Sequence, residues 1–442
     1  MSSHIFDLFL FWVATGQGQK NKKALDSTIL AVEHMPDDTL KVGAYGTLFE
    51  VLQFNNPNLA NSYSKKALNL SKKLDYKKGI AVSNFQFADF YRSKGNIDSA
   101  RFYYEKAANL GKEANSIIIQ LFVNHSRGDL EKSLGNYKKA LYFINKNIEI
   151  YDQTDTIYRA QSGKFNLIGS EFEAIGSIHK ELGNYQIALS ETLKALNFFI
   201  KIKDTLRQAD AMKQLGSIES ILMNYESAIE HGKIAHEIYD SYNDKQYKAF
   251  AANDIGSYYL ALNQSANAEP FLNEALKISK EIASKEIEAH ALSNLGEVYF
   301  ALDEFDKSDS LLKEGLKIYR ELDYKKDISS TLNKLSILEK EMNKLNKATA
   351  YLDESIRTAN EIGAKDILSK AYSLRSAVHQ ELGNYKSALD DFKLFKSTND
   401  TLFNTTKSQQ IEELRTIYDT EKKNNKSPNK KPKLIFWKKK KR

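Results

Sequence analysis

Cysteine is absent from the 442 residues, which excludes disulfides, thiolate metal sites and a cysteine nucleophile. The compartment stays open, because an exported protein can also lack disulfides. Proline occurs 5 times and glycine 20 times, so little opposes long helices. Runs rich in Val, Ile and Thr between turn signals are missing, so almost no strand is expected. No run of about 18 apolar residues occurs, so no full transmembrane helix is expected. Tryptophan is rare (2), while Tyr (24) and Phe (23) are abundant. Hydrophobic residues make up 42%, enough for a continuous core.

Catalytic signatures are missing too. There is no GxxxxGK[ST], HExxH or GxSxG, and no glycine-rich phosphate loop. The eight histidines are scattered. His231 and His236 are five apart, which splays them around a helix, and His179 and His379 read as helix-interface residues. Asp390 and Asp391 read as a solvated helix face. No acids stand at metal-ligand or paired-carboxylate spacing. These gaps point away from an enzyme, and no metal or cofactor is expected.

Charge is unevenly placed. The net charge is +7, yet Lys422 to Arg442 holds 11 Lys/Arg and no acid, so the rest of the chain carries −4. A mildly acidic body argues against nucleic acid on its faces. The tail 424–442 reads as disordered. Residues 422–442 are either merely solvated or touch anionic lipid or an acidic partner. At the other end, Ile5, Phe6 and Leu8 to Val13 form an apolar strip, followed by Ala14-Thr15-Gly16 at signal-peptidase spacing. Residues 1–19 are read as signal-like, or as a strip capping the first helices. The signal-like reading leans towards export or membrane association in a bacterial envelope over the cytoplasm.

A repeat dominates the middle. Leu74-Asp75-Tyr76-Lys77-Lys78 returns at 322–326, and Leu134-Gly135-Asn136-Tyr137-Lys138 at 382–386, both 248 residues later. Glu181 to Tyr185 returns at 381–385, 200 later. A period of 40 with one eight-residue insertion near Tyr151 to Ser170 explains all three. A small residue marks the first helix of each unit: Ala88, Gly128, Gly176, Gly216, Gly256, Gly296, Ser336 and Ser376. Twelve residues later comes another: Ala100, Ala140, Ala188, Ala228, Ala268, Ser308, Ala348 and Ala388. A degenerate earlier unit fits at Leu48, Ala60 and Ala67, and a half unit at Ala24 and Ala31. Glycine inside a helix costs about 0.5–1 kcal/mol relative to alanine, so its recurrence needs a packing reason. Close approach of two helices supplies one. Gly95-Asn96, Gly135-Asn136, Gly183-Asn184 and Gly383-Asn384 should end one helix in the left-handed conformation and cap the next.

A small residue, an aromatic three later (Tyr91, Tyr259, Tyr299), an aromatic nine later (Tyr137, Tyr185, Tyr225, Phe305, Tyr385) and then alanine resembles the tetratricopeptide repeat. The resemblance spans about Lys20 to Lys396. It implies an all-α, α-α superhelical solenoid of about nine helix hairpins over 20–396, followed by a C-terminal helix at 397–423. It further implies that first helices line a concave groove for a protein or peptide. The polar residues at inward positions are Asp89, Arg92, His125, Asp129, Lys213, Ser217, Asn253, Ser257 and Asn294. Asn253 and Asn294 stand out, since a side-chain amide can both donate to and accept from a peptide backbone.

Lys396 to Asn404, Ile411-Glu412-Glu413-Leu414 and Tyr418 to Lys423 resemble the exit segment of Bacteroidetes-type repeat sensors, without the output domain. That implies a sensor or adaptor module in signal transduction. The alternative is a membrane-tethered regulator acting through its basic tail. Ile411, Leu414 and Tyr418 form one helical stripe. It either caps the last repeat or pairs with a second copy as a short coiled coil, a weak homodimer through 405–421.

Overall fold

The computed structural model describes residues 18–153 and 167–402. Every regular element among them is a helix. The apolar strip at 5–13, most of the insertion, the Ile411/Leu414/Tyr418 stripe and the basic tail lie outside the described residues.

The chain divides into two compact units, residues 1–171 and 172–442. In the first, α1 (Gly18–Glu33) precedes three hairpins. They are α2 (Thr39–Leu52) with α3 (Pro57–Lys73), α4 (Lys77–Ser93) with α5 (Ile97–Glu113), and α6 (Ile117–Ser133) with α7 (Tyr137–Gln153). The division falls within α8 (Leu167–Glu181), which is followed by α9 (Tyr185–Ile202). Next come the hairpins α10 (Thr205–Ile221) with α11 (Tyr225–Ser241) and α12 (Lys245–Ala261) with α13 (Ser265–Glu281). They are followed by α14 (Lys285–Ala301) with α15 (Phe305–Glu321) and α16 (Lys325–Glu341) with α17 (Leu345–Glu361). The last first helix is α18 (Lys365–Glu381), and its partner is helical over 385–402. Counting α8/α9 and α18 with 385–402, the nine expected hairpins are present among the described residues.

The small residues sit where the register put them. Gly176, Gly216, Gly256 and Gly296 are buried, and Ala188, Ala228 and Ala268 are 0% exposed. A side chain at the glycines would collide across the hairpin. A Cβ at Gly296 would stand 2.6 Å from Leu312 Cγ, and one at Gly216 only 3.1 Å from the Ala228 carbonyl. Two of the three serines at these positions bond the facing backbone, whereas Ser336 Oγ donates to the Asn333 carbonyl of its own helix at 2.7 Å. Ser308 Oγ donates to the Gly296 carbonyl at 2.8 Å, and Ser376 Oγ to the Ala388 carbonyl at 2.7 Å. The bulky residue before each small one (Leu215, Ile255, Leu295, Leu335) is almost fully buried. Each such side chain contributes about 1.5–3 kcal/mol.

The turns reveal a finer period than the sequence suggested. A left-handed residue recurs every 20 positions from Lys203 to Gly383, and also at Asp75, Gly95, Asn115 and Gly135. Turns within hairpins and between them are therefore built alike. At Asn263 the next residue, Gln264, donates its N–H to the Tyr259 carbonyl (2.9 Å), while Asn263 N–H reaches the Leu260 carbonyl (2.9 Å). This is the double closure that satisfies helix-end carbonyls. Most helices are accordingly 17 residues long, and 17 plus a three-residue turn gives the 20-residue half-period.

Two expectations need correction. Asn96 does cap α5, accepting from Ser99 N–H at 3.1 Å. Asn184 makes no side-chain cap; its amide meets His179 Nδ1 at 3.2 Å. Asn136 Nδ2 likewise turns back to Glu131 Oε2, at 2.8 Å. And Asp391 is no solvated residue: it is 4% exposed and gripped by Arg375, while Asp390 remains exposed.

Consecutive first helices also pack on one another within each unit: α2 on α4 and α4 on α6, then α10 on α12, α12 on α14, α14 on α16 and α16 on α18. First helices therefore form the inner side of each unit, and second helices the splayed outer side.

Candidate functional site

The inner side of the second unit carries a ladder of polar side chains. Each rung joins a residue of one first helix to a residue about 41 positions on, in the next. Gln214 Nε2 donates to the Glu173 carbonyl at 3.1 Å, and to Thr192 Oγ1 at 2.8 Å. Asn294 Nδ2 donates to Asn253 Oδ1 at 3.0 Å. Lys334 Nζ donates to Ser293 Oγ at 2.9 Å and pairs with Glu297 at 2.5 Å. The repeat explains the spacing. A 40-residue step returns to the same position on the next helix, and one residue more points back across the gap.

One rung is open. Asp254 has the register of Gln214, Asn294 and Lys334, but a carboxylate cannot donate. Its natural partner by register, Lys213, turns away. The Lys213 ammonium lies over the rings of Phe250 (5.3 Å) and Tyr247 (6.0 Å), an attraction worth about 0.5–1 kcal/mol where solvent reaches it. No hydrogen bond to the Asp254 carboxylate exists among the described residues. Burial pushes that carboxyl up, against the pull of Lys213, His290 and Lys180.

The sequence candidates of this unit fall on or beside the ladder. Asn253 and Asn294 are joined to each other, and Asn253 Nδ2 and Asn294 Oδ1 have no further hydrogen bond among the described residues. Ser217 Oγ receives Lys180 Nζ at 3.4 Å. Ser257 Oγ is spent on the Asp254 backbone carbonyl at 2.7 Å. Sequence reasoning missed Gln214, Asp254, Ser293 and Lys334. Polar pairs 41 apart, such as Lys213/Asp254 and Ser293/Lys334, were the signal that could have found them.

In the first unit, Asp89 and Arg92 come together with Phe49, Gln53 and Phe54 around a cavity of about 310 Å³. Asp89 accepts the Tyr104 hydroxyl, and burial pushes its pKa up to about 7. His125 and Asp129 also meet, at 3.7 Å. His125 Nδ1 lies 3.0 Å from Oε1 of the buried Glu171, which also receives Asn147 Nδ2 at 2.7 Å. His125 is thus tied into a structural network.

The raised Asp89 pKa makes the first unit pH-sensitive. The folded state holds this proton up to about pH 7, whereas an unfolded aspartate releases it near ~3.9. Between those values the unfolded state binds fewer protons, so stability falls as pH rises, and levels off above the window. Asp89→Asn should flatten this slope. Urea melts at pH 5 and pH 8 check it: the wild type loses stability between them, the variant loses less.

Residues 207–281 and 287–361 match one tetratricopeptide repeat model, and 81–110 match another. No curated protein sequence matches the chain. The apo form of the quorum sensor NprR from B. thuringiensis is similar at 14% identity, with a TM-score of 0.59, covering 81% of this chain and 98% of that one. A signal transduction ATPase with a tetratricopeptide repeat sensor, PH0952 from Pyrococcus horikoshii, is similar at 16% identity with a TM-score of 0.57. That match covers 83% of this chain and 55% of the other, so this chain spans about half of that protein. The Rap conjugation gene regulator of plasmid pLS20, in complex with the Phr* peptide, gives 13% identity and a TM-score of 0.51, covering 83% and 96%. At these identities the likeness establishes the fold: stacked tetratricopeptide-type hairpins.

Proposed function

We propose that this chain is a sensor or adaptor scaffold of a signalling system, and that an extended peptide or peptide-like segment of a protein binds the inner side of its second unit. The observation that carries the reading is the ladder, with its shared Asn253–Asn294 amide pair beside the open Asp254 rung. The free donor and acceptor of the two amides suit the backbone of an extended strand, which offers both in alternation. Asp254 suits an N–H or a cationic group next to them. One similar structure is a complex with the Phr* peptide, and this supports a peptide as ligand. The reading makes the chain a binder and not a catalyst. It leaves envelope placement a proposal; among the described residues no helix is long and apolar enough to cross a membrane.

The test is co-elution of a random hexapeptide library with the protein, followed by mass spectrometry. The wild type should retain a defined subset of peptides. Asn253→Ala with Asn294→Ala should weaken the retained peptides about 10–100-fold, since each lost hydrogen bond is worth ~0.5–1.5 kcal/mol. A folded wild type that retains no peptide defeats the proposal.

A further inference from the structure

On the outer side of the first unit, α5 and α7 splay apart over α6 and leave a cavity of about 440 Å³. Tyr104, Tyr142 and Phe143 wall it. Two arginines lie inside, and they differ in one respect. Arg101 is committed: its Nε and Nη2 donate to Glu131 Oε1 and Oε2 at 2.8 and 2.9 Å. Asn136 Nδ2 adds a third bond to Glu131, at 2.8 Å. Glu131 is 5% exposed and is engaged by these three hydrogen bonds. Arg127 is uncommitted. Its guanidinium carbon lies 4.1 Å from the Phe143 ring centroid, and it has no hydrogen bond or ion pair among the described residues. Ring stacking leaves the N–H edge of a guanidinium open, and that edge matches two oxygens of one acid.

The rim adds to this. Lys138 and Lys139 are exposed there and make no ion pair among the described residues. Glu105 and Glu131 also lie in the wall, so the surplus is positive but modest. That balance draws an anion, and the planar N–H edge of Arg127 matches the two coplanar oxygens of one carboxylate. A cavity of the second unit offers a contrast. Beside Tyr351, between α15 and α17, Lys313 is held by Asp309 and Arg320 by Glu354, both at 2.6 Å. There the arginine is bonded to its acid; Arg127 feels Glu105 and Glu131 only through space and has no ion pair among the described residues.

We propose that the α5–α7 cavity is a carboxylate-binding site that receives the side chain of an acidic residue on a protein partner, with Arg127 donating two N–H groups. The site lies on the outer side of the first unit's hairpins, whereas the ladder belongs to the second unit, and it is independent of the peptide proposal.

The probe is N-acetyl-glutamate N-methylamide, titrated against the full chain labelled with 15N-arginine. The Arg127 Nε–H signal, assigned by its loss in Arg127→Gln, should shift saturably at millimolar probe. The glutamine analogue and inorganic phosphate should shift it at least tenfold less. Arg127→Lys keeps the charge but loses the fork, and should lower the melting stabilisation given by the probe several-fold while leaving the melting temperature of the free protein unchanged. An Arg127 signal that does not move, or that moves equally for phosphate or the glutamine analogue, overturns the proposal. So does an Arg127→Lys protein stabilised as much as the wild type.

Discussion

Replacing Arg375 by alanine should destabilise the end of the second unit by about 3–5 kcal/mol, the cost of stranding a buried charge. Arg375 on α18 forks onto Asp391, with Nε to Oδ2 at 2.9 Å and Nη2 to Oδ1 at 2.6 Å. Its Nη1 reaches Asp353 of α17 at 2.6 Å. One guanidinium thus ties the helix at 385–402 to two others. Asp391 is 4% exposed, so water cannot replace the lost donors. The nearest remaining cation candidate, His379 Nε2, is 3.8 Å away. Stability in a repeat array is local, so the loss should appear first as faster hydrogen exchange over 385–402. The double change Arg375→Leu, Asp391→Leu removes both charges and should recover most of the loss. Equal stability of Arg375→Ala and the wild type in urea melts would show that the pair contributes nothing.

Gly256→Leu should cost about 1–3 kcal/mol by overpacking. A Cβ at Gly256 would stand 2.5 Å from Cγ and Cδ2 of Leu272, which is itself fully buried. Leu272 belongs to the facing helix of the same hairpin, so it cannot withdraw without opening the crossing. Gly43 is the control. It lies in α2, is exposed, and a Cβ there would meet nothing within 4 Å. Gly43→Ala should therefore stabilise, by about 0.5–1 kcal/mol. Thermal melts of the two variants should move in opposite directions. A Gly256→Leu protein that melts like the wild type would mean that the crossing is not where the register puts it.

The crossings were legible because close packing leaves its mark on composition. Only small residues fit at Gly176, Gly216, Gly256 and Gly296, so a period could be counted. The turns were half legible. Gly95, Gly135, Gly183 and Gly383 announced themselves, but the left-handed position is also held by Met223, Ala283 and Lys203. Their neighbours' hydrogen bonds hold them there at a strain of about 1–2 kcal/mol each, and no residue type signals that. Asp391 was misread because its partner sits 16 residues away on another helix, where charge spacing along one helix says nothing. The inner face was legible as a set of polar positions but not as a ladder. Asn253 and Asn294 were picked out separately, whereas the structure joins them. The open rung at Asp254 becomes visible only once its neighbours' rungs are seen to be closed.

A photo-crosslinking amino acid placed at Ser257, beside the ladder, and in a second protein at exposed Met223 in a turn, tests the central claim most directly. Each protein would be irradiated with the hexapeptides that the wild type retains. The account predicts covalent capture of peptide from position 257 and none from 223. Equal capture from both positions, or capture from 223 alone, would contradict a binding site on the inner side.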